Sequence, residues 1–159
     1  MKFRKLTNEE LKQVEKEFIA FLASNSVTAL DWEQLKKTNP RKAELLIELF
    51  SDIVIEKALS KCSCLEKVSP LEFRAYKFYD NFVKLIVVKA HPNENINFTE
   101  GELGLHLQQL IQKSPDDLEF FQAKKDYKKL REQEMFEIIQ TGAYMTNDRI
   151  FSQLNRLIS

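Results

Sequence analysis

Four carboxylates recur at four-residue intervals in one segment of the sequence: Glu44, Glu48, Asp52 and Glu56. On a helix, this spacing places the four side chains in one row. Such a row can bind a hard cation, or its members can raise one another's pKa values as acid/base pairs do. Asp52 and Glu56 are the members that we select as metal or acid/base candidates. A solvated face opposite a buried stripe explains the same spacing, and we favour that interpretation.

Two cysteines and two histidines are the other residues that could bind a metal. Cys62 and Cys64 are one residue apart, so on a strand both thiols would face the same side. Zinc sites usually have two-residue spacers and a second ligand pair, which only His91 and His106 could supply. Neither histidine has a Ser, Asp or Cys in a recognisable catalytic spacing. We therefore interpret the cysteines as small buried residues, and we predict no catalytic residue, cofactor or metal.

A basic cluster with an aromatic residue is the candidate for nucleic-acid binding. It comprises Lys124, Lys125, Tyr127, Lys128, Lys129 and Arg131. Basic residues beside an aromatic ring can bind a single strand. Between Glu119 and Glu137, however, acidic residues equal the basic ones in number, so an ion-paired and solvated helix is the interpretation that we favour.

Composition restricts the function classes further. The 159 residues carry 24 basic and 24 acidic side chains, so no summed positive field attracts nucleic acid or an anionic membrane. The longest apolar stretch, residues 82–90, contains two lysines and is too short to span a bilayer. The first residues have no apolar signal-peptide core, and two cysteines make no disulfide framework. We expect one globular domain over residues 1–159, in the cytoplasm and not at a membrane.

The first 60 residues predict three helical segments. Thr7 with Glu10, and Thr28 with Asp31, have the spacing of capping boxes, so helices are expected to begin there. The first helix is expected to continue to Ser24. Pro40 suits the first turn of a third and most buried helix. Its apolar stripe includes Ile53, and Leu45 and Leu49 widen this stripe.

A β-hairpin is predicted in the middle of the chain. Residues 73–79 and 82–90 are rich in aromatic and β-branched residues, and Asp80-Asn81 suits the turn between them. A third strand over Cys62 to Val68 would complete a small meander. The alternative is a helix that begins at Ser69-Pro70.

The second half of the chain predicts further helices. Residues 91–98 have the composition of a loop, and Thr99 with Glu102 has the spacing of another capping box. Ser114-Pro115 is expected to begin a helix that runs to about Gln140, with Gly142 at its end. A last amphipathic helix covers residues 147–157, and it is our candidate for a partner-binding or self-association element. The predicted fold is therefore α+β, with five or six amphipathic helices and one small antiparallel β-hairpin or meander.

Three short segments carry a resemblance to a known family. The runs are Arg4-Lys5-Leu6-Thr7-Asn8-Glu9-Glu10-Leu11, Asp31-Trp32-Glu33 and Ile47-Glu48-Leu49-Phe50-Ser51-Asp52. Together they resemble a family of small uncharacterised Bacteroidota proteins, mainly over the first 60 residues. The resemblance implies a cytosolic bacterial protein and no particular catalytic or binding residue.

No specific activity can be inferred from these patterns. The sequence lacks a phosphate-binding glycine loop and a nucleophile elbow, so we expect a non-enzymatic protein-interaction or regulatory module. A protein partner or a homo-oligomer is the expected assembly. The alternatives are a nucleic-acid-associated protein that uses the Lys124 to Arg131 face, and an acid/base or metal-dependent enzyme.

Overall fold

The computed structural model describes residues 1–92 and 96–158. Within these residues are seven α-helices and one five-stranded antiparallel sheet, so the α+β class is confirmed. The prediction of one hairpin or meander underestimated the number of strands. The prediction of five or six helices underestimated the number of helices. The chain forms two compact units, Met1–Ala58 and Leu59–Ser159, and a single domain over residues 1–159 stays a prediction.

The first unit contains short helices that begin at side-chain caps. These are α1 (Asn8–Gln13), α2 (Glu15–Ser24) and α3 (Ala29–Thr38), followed by α4 (Pro40–Lys61), which continues into the second unit. Both capping boxes are confirmed, with Thr7 and Thr28 each accepting a bond from the third helical amide. The single helix expected from Thr7 to Ser24 is instead divided, because Val14 leaves helical geometry with φ −114° and ψ 29°.

Helix α4 buries one side of its apolar surface and exposes another. Ala43 and Phe50 are buried, and the Phe50 ring centre lies 5.0 Å from that of Phe18. In contrast, three apolar residues at four-residue steps are exposed: Leu45 by 42%, Leu49 by 57% and Ile53 by 51%. The prediction that these three belong to a buried stripe was wrong, because the apolar residues surround more of the helix than its neighbours cover.

The second unit is built on the sheet. Its strands are β1 (Cys64–Ser69), β2 (Glu72–Phe78), β3 (Phe82–Ala90), β4 (Leu118–Asp126) and β5 (Tyr144–Thr146), in the spatial order β4-β3-β2-β1-β5. The predicted hairpin and its third strand are confirmed. The alternative helix at Ser69-Pro70 is excluded, because Ser69 ends β1 and Pro70 lies in the turn to β2.

Helices α5 (Leu103–Lys113), α6 (Arg131–Gln140) and α7 (Arg149–Ile158) complete this unit, with a 3-10 turn at Pro115–Asp117. The helix expected from Ser114 to Gln140 was wrong, since strand β4 and a loop occupy its first part. The expected cap at Thr99 was also wrong: Glu102 is the N-cap of α5, while the Thr99 hydroxyl donates to Asn97. Part of the predicted loop, residues 93–95, lies outside the described residues.

The core of the second unit lies between one face of the sheet and helices α5 and α7. Phe73, Ile86 and Val88 of the sheet are fully buried there, with Leu107 of α5 and Phe151 of α7. Leu154 of α7 is buried in the same cluster. Helix α7 therefore contributes to the core, which argues against its use as a releasable partner-binding element. No helix in the described part of the chain is long and apolar enough to cross a membrane.

Candidate functional site

Carboxylates of the acidic row on α4 bind the segment of residues 2–6 of the same chain. The Asp52 carboxylate accepts hydrogen bonds from the backbone amides of Lys2 at 2.8 Å and Phe3 at 3.0 Å. Glu56 lies 3.5 Å from the Lys2 ammonium, and Glu44 lies 3.1 Å from that of Lys5. The row thus holds a basic segment of the same chain, which gives these carboxylates a structural use.

The two cysteines lie in different local environments. Cys62 precedes strand β1, and its thiol donates to the backbone carbonyl of Cys64 at 3.1 Å. Cys64 is buried in the strand, and this burial raises the pKa of its thiol. A buried thiol with a raised pKa has little thiolate character and low reactivity. The geometry favours the interpretation of these cysteines as structural residues.

The two histidines lie on separate elements. His91 follows β3, and its Nε2 atom lies 3.7 Å from Glu119 at a half-exposed position. His106 lies on α5, where its ring packs edge-on against Phe98 and its Nε2 atom is buried without a hydrogen-bond partner in the described structure. Across residues 1–92 and 96–158, no three or more His, Cys, Asp or Glu side chains are grouped to hold a metal.

The basic cluster does not lie on one helix. Lys124 and Lys125 are at the end of β4, Lys128 is in the following loop, and Arg131 begins α6. The Tyr127 hydroxyl lies 2.7 Å from the backbone carbonyl oxygen of Tyr79 and 2.8 Å from that of Phe82, and the two carbonyls share its single proton. Burial of this hydroxyl raises the pKa of Tyr127 to about 12. The tyrosine is therefore a structural anchor of the loop.

Several cations of the cluster have partners inside the unit. Arg131 donates to the carbonyl of Cys62 at 2.6 Å and pairs with Glu132. Lys129 pairs with Glu137, and Lys125 bonds Glu134 at 2.8 Å. The Lys124 ammonium lies 4.0 Å from the centre of the Phe82 ring. These contacts do not strengthen the nucleic-acid hypothesis, which stays a prediction.

Strand β4 is the long edge of the sheet. It pairs with β3 over all nine residues, from Leu118 opposite Ala90 to Asp126 opposite Phe82. No strand of the described residues pairs with its other side. From residue 121 to residue 126 every side chain is exposed, and Phe121 is 49% exposed. An edge of this kind presents unpaired N–H and C=O groups that can bind another strand.

A second feature is a pocket of about 150 Å³ between the last strand and the ends of two helices. Glu66 of β1 lies in it together with Thr146 of β5 and Asn147 in the turn that follows. Its other lining residues are Glu102, Gly104, Arg149 and Ile150. Gly104 and Ile150 belong to the first turns of α5 and α7. The pocket thus combines charged, polar and small side chains.

Glu66 is the most unusual residue of this pocket. It is only 5% exposed, and no Lys, Arg or His of the described residues lies within ion-pair distance of its carboxylate. Burial raises the pKa of Glu66, while its interaction with the Tyr144 hydroxyl opposes that shift. Tyr144 is the residue opposite Glu66 in the β1–β5 ladder. Buried acids without a counterion are costly, and they concentrate at functional sites.

No pattern in the sequence predicts this pocket. Its residues come from three separate segments: position 66, positions 102–104 and positions 146–150. One local signal was available, because Glu66 interrupts a run in which Cys64 and Leu65 are fully buried. An acid within a buried strand is uncommon and could have been selected as a candidate.

Comparison with known proteins identifies the family of the chain. A family model described as a family of unknown function (DUF6495) matches residues 1–159. No curated protein and no solved structure matches the chain. The fold and the pocket are therefore the basis for any functional hypothesis.

Proposed function

Since this chain belongs to a family of unknown function, DUF6495, we propose from its structure that it is a non-enzymatic protein-interaction module. Its interaction surface is the free edge of β4, and its partner is a second copy of the same chain. The observation that carries this proposal is the charge pattern along the edge. Glu119 and Lys125 lie at equal distances on either side of Gln122, the middle residue of the strand.

An antiparallel pair of β4 strands centred on Gln122 brings opposite charges together. In this register Glu119 lies opposite Lys125 of the second copy, and the symmetry of the pair creates the same contact twice. Opposite charges that face one another across strands stabilise the pair by about 0.2–1 kcal/mol each. Side chains two, four or six residues apart in a strand face the same side of the sheet, so Glu119 and Lys125 can meet across the pair.

The same register also suits the apolar residues of the edge. Phe121 lies opposite Ala123 of the second copy, so a large ring meets a small side chain on the same face. The ring is 49% exposed in the single chain, with the Lys89 ammonium 5.4 Å from its centre. Pairing would cover part of this exposed apolar surface, which favours association.

The contact of Lys125 with Glu134 is compatible with the proposed pair. Lys125 is 53% exposed although its ammonium bonds Glu134 at 2.8 Å. An ammonium group has three donors, so it can bond Glu134 and the Glu119 of a second copy together. Glu119 is 52% exposed, and its carboxylate lies 3.7 Å from the imidazole Nε2 atom of His91.

A charge-exchange experiment tests the proposal. Sedimentation equilibrium of the full chain is measured for the wild type, Glu119→Lys, Lys125→Glu and the double exchange. We expect each single variant to weaken association by about 5- to 30-fold, since two like-charge contacts replace two attractive ones. The double exchange restores the opposite charges and is expected to recover most of the affinity. Because Lys125→Glu also removes the bond to Glu134, association is compared at a temperature where urea denaturation shows that all four proteins are folded.

The control for Glu119→Lys is Glu100→Lys, which changes the net charge by the same amount and in the same direction at an exposed position away from β4. It is expected to leave association unchanged. If the wild type is monomeric at all accessible concentrations, or if the double exchange associates no better than the single variants, the proposed edge pairing is wrong.

A further inference from the structure

We propose that the pocket at Glu66 binds a small primary ammonium ion, whose charged head pairs with the Glu66 carboxylate. This inference concerns a different surface from the β4 edge and does not rest on self-association. It starts from the environment of Glu66, which is 5% exposed. The neutral Tyr144 hydroxyl interacts with its carboxylate, but no cation of the described residues does.

The charges that line the pocket favour a cation. Two carboxylates, Glu66 and Glu102, line it, and Arg149 is the basic residue there. The Arg149 guanidinium lies 4.0 Å from Glu102, and both of these side chains are more than half exposed. Such a distant and solvated contact is weak, and it leaves the deeper carboxylate without a counterion. An anionic ligand would meet two acids, whereas an ammonium ion supplies the missing charge.

The polar groups beside Glu66 suit an ammonium rather than a metal ion. An ammonium head donates three hydrogen bonds, and Glu66, Thr146 and Asn147 line the pocket with side-chain oxygens. The Asn147 oxygen already accepts from the Arg149 amide at 3.0 Å, which leaves it one further lone pair. A bound Ca²⁺ takes six to eight oxygen ligands, roughly, and usually several carboxylates. The described residues contain no cluster of three potential metal-binding side chains here.

The size and walls of the pocket limit the ligand to a short chain. A volume of about 150 Å³ holds a molecule of a few heavy atoms. Ile150 offers an apolar wall to the alkyl part. Gly104 leaves its wall open: a Cβ atom added there would lie 3.6 Å from Glu102 Oε1 and 4.0 Å from Ile150 Cγ1. Alanine fits at ordinary contact distances, while a longer side chain at position 104 would enter the pocket.

The test is an NMR titration of the full chain with propylammonium chloride. Amide shifts of Gly104, Thr146 and Asn147 are followed, with sodium chloride at equal ionic strength as the reference. We expect saturable shifts confined to these amides. Glu66→Gln keeps the shape but removes the charge, and it is expected to weaken binding about tenfold or more.

Two further variants separate binding from folding. Gly104→Leu keeps Glu66 but fills the pocket, so it is expected to abolish the shifts while the rest of the spectrum is retained. Asp116→Asn removes an exposed acid elsewhere in the unit and is expected to bind like the wild type. The titration is repeated in Glu119→Lys, in which the β4 edge is altered, so that a failure of self-association does not affect the result.

Three outcomes would overturn the inference. The first is the absence of saturable shifts in the wild type, and the second is equal binding by Glu66→Gln. The third is an equal response to sodium chloride, which would show a general salt effect. Loss of binding in both Glu66→Gln and Gly104→Leu, with retention in Asp116→Asn, would establish the site.

Discussion

Glu134 on helix α6 accepts a hydrogen bond from the ammonium of Lys125 on strand β4, at 2.8 Å. The Glu134 side chain is only 7% exposed, and the backbone amides of Lys128 and Lys129 donate to its other oxygen at 2.8 Å and 3.2 Å. One carboxylate therefore fixes both the end of the edge strand and the loop that follows it.

We expect Glu134→Ala to destabilise the chain by about 2–4 kcal/mol, because a buried charged acceptor and its three bonds are lost. Urea denaturation measures the change. Glu137→Ala is the control: it removes an exposed partner of Lys129 and is expected to cost less than about 1 kcal/mol. Equal losses in the two variants would contradict the role of Glu134.

The same carboxylate makes stability depend on pH. The Lys125 bond, with the two backbone bonds, holds the pKa of Glu134 below its ordinary value of 4.5. A lowered pKa in the folded state contributes stability above pH 4.5, and this contribution is lost as the pH falls through the lowered value. Denaturation midpoints between pH 3 and pH 7, roughly, are expected to change less in Glu134→Gln than in the wild type.

Asp52 is expected to secure the segment of residues 2–6. Replacement of Asp52 by Ala removes the acceptor of two backbone amides, so we expect a loss of about 1–2 kcal/mol and faster trypsin cleavage after Arg4 and Lys5. Cleavage is followed by mass spectrometry. Glu56→Gln, which affects one exposed contact with Lys2, is expected to leave the rate unchanged. No difference between the two variants would refute this assignment.

Glu66→Gln is expected to stabilise the protein at neutral pH. Burial raises the pKa of Glu66 above its ordinary 4.5, so the folded state binds more protons than the unfolded state above that pH. The cost of ionising Glu66 therefore grows as the pH rises through the raised pKa, and it is absent below 4.5. The neutral amide avoids this cost. In urea denaturation we expect Glu66→Gln to increase the free energy of unfolding over the wild type by about 1 kcal/mol more at pH 8 than at pH 4. A gain that is independent of pH would contradict this explanation.

Gly142 and Gly104 are expected to respond in opposite directions to alanine. Gly142 follows α6 with a φ of +109°, which L side chains rarely adopt, so Gly142→Ala is expected to cost about 1–2 kcal/mol. Gly104 lies in the first turn of α5 with ordinary contacts for an added Cβ, so Gly104→Ala is expected to gain up to about 1 kcal/mol. Thermal denaturation of both variants measures these effects, and a loss at Gly104 would show that its wall tolerates no side chain.

The parts of the fold that local chemistry determines were predictable from the sequence. The caps at Thr7 and Thr28 require only residues within one turn, and both were identified correctly. The hairpin was also found, since alternating apolar residues flank the Asp80-Asn81 turn. Prediction failed at β4, whose charged end between Lys124 and Asp126 has the composition of an exposed helix. Its strand conformation depends on pairing with β3, which is a contact distant in sequence.

The candidate sites show the same limit. The row from Glu44 to Glu56 was visible as a pattern, but its association with residues 2–6 required the folded unit. Glu66, Glu102 and Arg149 converge only after β1, α5 and α7 are packed. No spacing in the sequence indicates that these residues share one pocket.

Cross-linking at the middle of β4 is the measurement that tests the proposed function most directly. In the register centred on Gln122, the two copies of residue 122 lie opposite one another, with Cα atoms about 4.5–5.5 Å apart, which suits a disulfide. In a background of Cys62→Ala and Cys64→Ala, we expect Gln122→Cys to form a linked dimer much faster than Gln109→Cys, an exposed control on α5. Equal rates at the two positions would contradict self-association through this strand.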